Sequence, residues 1–380
     1  MTCLYIKNAA AISPLGGNLE EIWQNVLAGE VRFDKVSLPG QRAFFAAESK
    51  PCSASDITSY ASLFGEAIHT LIADLGIEMP VDAIFFATAV GNLGEVESDI
   101  YAEHAVSAKK LDFTQSEMVF RKTPAMGPDT RYICVPTGCV AGLQAIGVAK
   151  QVMPKLGFKT AIIMSLDFGL TPLAFEAFYK INATCAFELE LDCSPSRPFC
   201  MNRSGFLFAD GGGAIFVTTE REENAPDPRI SGYGCVSSAF HMTDIATDGT
   251  SIKVSIERAL KDAQLEPSAI DHVNLHASGT QQNDEAEYNA LIDIIGETLP
   301  TITAFKGNHG HALGGANMIE TALTWKILRE RVVPPTPMGL SVDAYPAVPP
   351  RANPEPFDGS TILKTASGFG GIHAAMIMEG

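Results

Sequence analysis

Pro136-Thr137-Gly138-Cys139-Val140-Ala141-Gly142-Leu143-Gln144-Ala145-Ile146 is the stretch on which the reading of this chain turns. A β-rich run, Tyr132 to Val135, ends in a Thr-Gly turn, and Cys139 follows. Ala141, Gly142, Ala145, Gly147 and Ala149 come next. Small residues at this density predict a helix packed against neighbours on all sides. A cysteine in the first turn of such a helix sits where unpaired N–H groups and the helix dipole stabilise a thiolate. Cys139 is therefore a candidate nucleophile. Taken alone, it also reads as a small buried hydrophobe, as most free cysteines do.

Working outward, Ala83 to Ala89 and Thr160 to Ser165 are short, continuously apolar runs of the kind buried strands show. Tyr5 to Ile12 reads as a first strand, and Asn18 can cap a helix over 19–27. Helical periodicity runs from Asp56 to Leu75, a further helix is expected over Val96 to Lys110, and Thr171 to Tyr179 reads as loop and short helix. After the charged, Pro-containing Glu222 to Pro228, the second half alternates in the same way. It gives strand Arg229 to Val236, helix Asp248 to Ala263, strand His272 to His276 and helix Asp284 to Ile295. Helix Ala316 to Leu328 and strands Thr361 to Ala366 and His373 to Met378 complete it.

The halves echo each other. Asp82-Ala83-Ile84-Phe85-Phe86-Ala87-Thr88 parallels Asp271-His272-Val273-Asn274-Leu275-His276-Ala277, and Cys139 with its small-residue helix parallels His311 with Gly314, Gly315 and Ala316. Several echoes in one order indicate a duplicated α/β unit with mostly parallel sheets. The expected halves are 1–225 and 226–380, together one catalytic unit. Sites in such folds lie at the carboxyl ends of strands, where Cys139, His276 and His311 all fall.

The bulk numbers narrow the function. With 380 residues, 46% hydrophobic and 19% charged, the chain has the composition of a well-buried globular protein. A net charge of −17 argues against binding nucleic acid or an anionic membrane. Arg121, Lys122 and Arg131, or Lys150, Lys155 and Lys159, could still receive an acidic partner. Eight cysteines without CxxC pairs form neither a disulfide framework nor a zinc site, and fit a reducing compartment. Neither a signal-peptide pattern nor a membrane-length apolar run is present, so a cytoplasmic location is expected.

The chemistry comes from the second half. His276 follows the strand Val273-Asn274-Leu275. Lys306-Gly307-Asn308-His309-Gly310-His311 places two histidines and a lysine ahead of a Gly-Ala helix. A metal loop is a poor reading, because Lys306 and Asn308 are weak ligands and no Asp or Cys lies within it. A thiol with two imidazoles suits thioester chemistry: the cysteine accepts an acyl group, and the imidazoles donate to a carbonyl that becomes an enolate.

In these motifs the chain resembles the β-ketoacyl-acyl carrier protein synthases of the Cys-His-His condensing type, which have the thiolase-like fold. The motifs come in the family's order: the nucleophile turn around Cys139, Ser196-Arg197-Pro198-Phe199 with Gly205 to Gly213, His276 with Ser278, Thr280 and Asp284, Lys306 before His311, Glu320, and Gly368-Phe369-Gly370-Gly371. The resemblance implies a layered α-β-α-β-α architecture and decarboxylative Claisen condensation with malonyl-acyl carrier protein. It implies that Cys139 is acylated and that the N–H groups of Cys139 and Phe369 form an oxyanion hole. His276 and His311 would hold the malonyl thioester, supported by Lys306 and Glu320. Ser278 and Thr280 would contact phosphopantetheine, which arrives on the carrier protein, so no cofactor and no metal is implied. Phe369 would also gate the acyl pocket, for which Met126, Phe168, Phe175, Phe178 and Phe206 are candidate walls.

The chain departs from the family in Gly138, Val140-Ala141-Gly142, Ser278 for threonine, His309 for Thr or Ser, and Asp210 for glutamate. Its shorter length resembles that of synthases in bacterial aryl-polyene pathways. Family members are dimers, so a homodimer or a heterodimer with a chain-length-factor-like subunit is implied, with Thr160 to Ser165 the expected edge strand. A thiolase would want a second cysteine near the end of the chain, and none follows Cys235. A chain-length-factor-like role, or a non-elongating acyltransferase, is the alternative.

Overall fold

The computed structural model describes residues 3–37, 43–47, 49, 60–106, 114–185, 195–222, 227–336, 345, 348 and 351–380. Its first half contributes β1 (Leu4–Ile12), β2 (Ala83–Thr88), β3 (Arg131–Pro136), β4 (Thr160–Asp167) and β5 (Gly211–Thr218). Its second half contributes β6 (Arg229–Ser237), β7 (His272–Asn274), β8 (Thr301–Thr303), β9 (Thr361–Gly368) and β10 (Ile372–Glu379). The sheet order is β3-β2-β4-β5-β1-β6-β10-β9-β7-β8. Read outward from its centre, each half gives the same sequence: first, fifth, fourth, second and third strand.

The pairing repeats as well. β2 is parallel to both β3 and β4, as β7 is to β8 and β9. β5 is antiparallel to β4 and β1, as β10 is to β9 and β6. Among the described residues, the strand pairing that joins the two five-stranded halves is Leu4↔Ile230 and Tyr5↔Arg229. The duplication expected from sequence echoes is thus a property of the backbone. The boundary expected at 225/226 falls among residues outside those described.

Helices α1 (Leu19–Leu27), α2 (Tyr60–Asp74), α3 (Leu93–Tyr101), α4 (Ala141–Leu156), α5 (Pro172–Lys180), α6 (Thr250–Ala263), α7 (Gln281–Ile295) and α8 (Leu313–Glu330) cover these sheets. Asn18 caps α1 by accepting from the N–H of Glu21 at 2.9 Å, as expected. The helix expected over Val96 to Lys110 is α3 instead; it ends at Tyr101, and residues 107–113 lie outside those described.

Strand alternation sorts the cores into layers. Phe85 of β2 and Ile163 of β4 pack with α4 and α8, whereas Ile84, Phe86 and Ile162 pack with α2. On the second sheet, Ile362 and Ala366 of β9 join the α4–α8 layer, whereas Leu363 packs with α6 and α7. The order is helix, sheet, helix pair, sheet, helix pair. The central α8 is buried at every residue from Leu313 to Leu328, as a helix between two sheets must be.

One expectation is corrected. Thr160 to Ser165 is no edge: β4 is paired on both sides, to β2 and to β5. The long edge is β3. The apolar run of β4 reflects burial on both faces, and pairing along an edge leaves no such mark in composition.

Candidate active site

Four loops meet at the carboxyl ends of the parallel strands. Cys139 lies past β3, His276 past β7, His311 past β8, and Phe369 past β9. The cysteine is not in the helix proper but in a 3-10 turn, Gly138–Val140, just ahead of α4. Gly138 has φ +82°, a left-handed conformation that L side chains rarely adopt, although a Cβ there would meet nothing within 4 Å. Backbone shape, not space, therefore explains this glycine. Val140 packs where a Cβ on Gly368 would come within 2.9 Å of its Cγ2, so the turn is seated directly against β9. The side-chain amide of Asn317, from α8, donates to the carbonyl of Cys139.

Cys139, Phe206, His276, Ser278, Thr280, His311 and Phe369 line one narrow cleft. The rings of His276 and His311 lie 5.3 Å apart at 81°. His311 meets Phe206 edge-on at 5.0 Å, and its backbone N–H donates to the carbonyl of Leu207 at 2.7 Å. Nδ1 of each of the two histidines has no partner among the described residues. Ser278 Oγ and Thr280 Oγ1 are 3.0 Å apart on the cleft wall. Phe369 stacks on Phe178 at 6.1 Å, and Phe178 meets Phe206 and Phe208 edge-on. Phe175, Phe178 and Phe206 thus pack in the apolar cluster that contains Cys139. Phe168 and Met126 do not: both pack in the α2 layer, and Phe168 lines a separate cavity with Phe64 and Val119.

Behind the histidines, Lys306 is held between Glu320 Oε1 at 2.5 Å and the carbonyl of His276 at 2.7 Å. Glu287 accepts from the N–H groups of His276 and Ala277, each at 2.8 Å, and from the hydroxyl of Thr365. Asp284 accepts from the N–H groups of Phe199 and Gly279 and faces Arg203.

Residues 228–339 match the family described as "Beta-ketoacyl synthase, C-terminal domain". The chain is 34% identical to "Granaticin polyketide putative beta-ketoacyl synthase 1" of Streptomyces violaceoruber over 67% of this chain and 62% of that protein. It is 25% identical to "3-oxoacyl-[acyl-carrier-protein] synthase 2" of Coxiella burnetii over 98% and 97% of the two chains.

Residues 228–339 place the second half of the chain in the β-ketoacyl synthase family.

Solved members share its fold, which is thiolase-like. A chain from the complex of a type II polyketide acyl-carrier protein with its ketosynthase bound to the hexaketide superposes with TM-score 0.89, at 24% identity, over 100% of this chain and 99% of that one. A chain from the complex of the ketosynthase ApeO with its chain length factor ApeC, from Xenorhabdus doucetiae, gives 0.78 at 20% identity, over 100% and 98%.

The electrostatics of the site correct one expectation. Burial pushes the Cys139 thiol up to about 12, and the carboxylate of Asp167 pushes the same way. Lys306 and the N–H groups of Cys139 and Phe369 pull it down without prevailing. The resting group is a thiol, not the stabilised thiolate expected at a helix start, because dehydration of the charge outweighs the N–H groups. Those two N–H groups nevertheless face the sulfur, the placement an oxyanion hole needs. Burial, and then Lys306, hold both His276 and His311 well below the usual imidazole range, so the pair is neutral. Burial raises the Glu320 carboxyl, but Lys306 and Lys364 outweigh it, leaving the group lowered and ionised.

Sequence reasoning missed Asn317, Asp167, Glu287 and Lys364. Asp167 accepts from the hydroxyl of Thr88 and the N–H groups of Ala89, Val90 and Gly315, tying the first turn of α8 to β2 and β4. Lys364 left a readable signal: a lysine in the apolar run Thr361 to Ala366 requires a buried partner. No helix among the described residues is long and apolar enough to cross a membrane, and no metal-ligand cluster occurs among them.

Proposed function

We propose that this chain is a β-ketoacyl-acyl carrier protein synthase that extends a thioester-bound acyl chain by decarboxylative condensation. The observation that carries the reading is the shared cleft: Cys139 opposite His276 and His311, with two backbone N–H groups on the sulfur. Cys139 Sγ attacks the incoming acyl thioester, the carrier thiolate leaves and takes up the cysteine's proton, and the acyl group remains on Cys139. A malonyl thioester then binds with its carbonyl toward the two neutral imidazoles. Its carboxylate departs as CO2, and the electron pair of the broken carbon–carbon bond forms an enolate, stabilised by donation from His276 and His311. The enolate carbon attacks the acyl carbonyl, whose oxygen turns to the N–H groups of Cys139 and Phe369. Collapse releases the β-ketoacyl thioester and the cysteine sulfur, which is reprotonated.

Ser278 and Thr280 fit hydrogen bonding to the amides of a phosphopantetheine arm, which the substrate brings with it. Lys306 and Glu320 hold the His276 segment in place, and Phe369, stacked on Phe178, closes the acyl side. A cytoplasmic setting is part of this reading, in accord with eight scattered cysteines that form no CxxC pair. The acyl carrier protein is the partner this chemistry requires. A homologous chain-length-factor subunit would have the same fold, but a thiol facing two imidazoles favours a catalytic chain.

Intact-protein mass spectrometry tests the reading. Exposure to acyl-carrier-protein thioesters should add one acyl mass, lost in Cys139→Ser. Cys139→Ala should release CO2 from malonyl-carrier protein without elongation. Acyl loading that survives in Cys139→Ser would overturn the assignment.

A further inference from the structure

Lys364 lies on β9 between Ile362 and Ala366, side chains of the central helix layer, and is 0% exposed. A lysine is rarely carried this deep without a partner. Its ammonium meets Glu320 Oε2 at 2.5 Å and lies 3.5 Å from Asn274 Oδ1. Lys306 holds the other oxygen of the same carboxylate, also at 2.5 Å. Glu320 is therefore gripped from both sides, by lysines from two different elements, in a site with no exposure at the carboxylate. Asn274 completes the frame by donating to the Glu320 carbonyl at 3.3 Å and to Thr324 at 2.9 Å.

Two consequences follow. With Oε2 occupied by Lys364, Oε1 cannot rotate away from Lys306, and Lys306 in turn holds the His276 carbonyl. One carboxylate shared between two ammoniums also leaves positive potential unspent, directed at the imidazoles. We propose that Lys364 is a second positioning cation of the histidine half of the site, fixing Glu320 and through it Lys306 and His276, and holding positive potential over His276 and His311. This deepens the condensing-enzyme reading and rests on it.

The other charged and titratable groups of the site are Glu320 on α8, Lys306 and His309 on the short helix 306–309, His276 after β7, His311 after β8, Glu287 and Asp284 on α7, Arg203, and His373 on β10. Asp284 is faced by Arg203, and Glu287 accepts three hydrogen bonds. Burial holds His309 and His373 down to about 4, so both are neutral at working pH. The pull of Lys364 is among the causes that lower His276 and His311. Taking it away lets the pair protonate at higher pH, where an imidazolium beside the substrate would hold the malonyl carboxylate as an ion pair and oppose its departure as CO2.

The test uses the full chain with malonyl-pantetheine, following CO2 release from about pH 5 to about pH 9, across the ordinary imidazole range. Lys364→Met should move the acidic limb up by about one unit and lower the plateau about tenfold. Its KM for malonyl-pantetheine and the acyl loading of Cys139 should stay within about twofold. Lys364→Gln, which keeps a donor without the charge, should show the shifted limb with a smaller loss of rate. A folded, acyl-loading variant whose pH profile superimposes on the wild type would overturn the inference. Should neither variant fold, a histidine NMR titration of the wild-type chain decides: His276 and His311 stay neutral through the ordinary imidazole range, and protonation near the ordinary ~6.5 would overturn it. A wild-type chain that neither loads acyl groups nor releases CO2 would instead sink the condensing reading, while the titration still reports on Lys364.

Discussion

At the scale of single residues, the site is governed by burial. Cys139 keeps its proton because dehydration and Asp167 act together against the thiolate. Its alkylation by iodoacetamide should therefore be slow at neutral pH and climb without a plateau from about pH 6 to about pH 10. Peptide mass spectrometry of the Cys139 peptide measures this, and a plateau below about pH 8 would show a stabilised thiolate after all. Gly138 offers a second measurement. With φ +82°, an alanine there carries backbone strain of about 1 kcal/mol but no clash, so Gly138→Ala should lose about that much stability in urea unfolding. Acyl loading should fall further than stability does, because the turn aims the sulfur. Cys139, His276 and His311 were legible as residues because each stands out against its stretch. The protonation state of the thiol was not, since it depends on Asp167 and on dehydration set by distant segments.

At the scale of elements, α8 fits closely against the glycines at the start of β5. A Cβ on Gly315 would come within 2.2 Å of the Gly211 carbonyl oxygen, a backbone atom that cannot swing aside. The Gly315 N–H also donates to Asp167 at 3.2 Å, so the helix start is fixed to both β5 and β4. Gly315→Ala should cost about 3 kcal/mol or leave the chain unfolded, as read by denaturant midpoint. A midpoint within about 0.5 kcal/mol of wild type would refute the close packing. Elements of this kind were readable from sequence: the small-residue runs at 141–149 and 314–316 mark the two helices of the central layer, where side chains have least room. Helix ends were less readable, as α3 shows by ending at Tyr101. So was strand position: β4 and β2 are both continuous apolar runs, and apolarity reports burial of faces, not which edges are paired.

At the scale of the whole molecule, the question is what lies beside β3. Arg131 donates its N–H inward, to the carbonyl of Asp82. Alternation along a parallel strand then points Ile133 and Val135 inward as well, and Tyr132, Cys134 and Pro136 outward. Pro136 has no N–H, so pairing along the outer edge of β3 would use the donors of Tyr132 and Cys134. A second strand laid antiparallel here, about a two-fold axis near Ile133, would extend the sheet from one chain into a copy or a homologous subunit. On this view the chain sediments at twice its 40.5 kDa mass, or pairs with a chain-length-factor-like subunit when that is co-expressed. Cys134→Pro removes one outward donor and leaves the inward ladder to β2 intact. It should shift the sedimentation equilibrium toward monomer while the far-ultraviolet circular dichroism stays that of the wild type. A variant that remains fully dimeric would place the contact on another face, away from β3 and from the cavity lined by Phe64, Val119 and Phe168 on the α2 side.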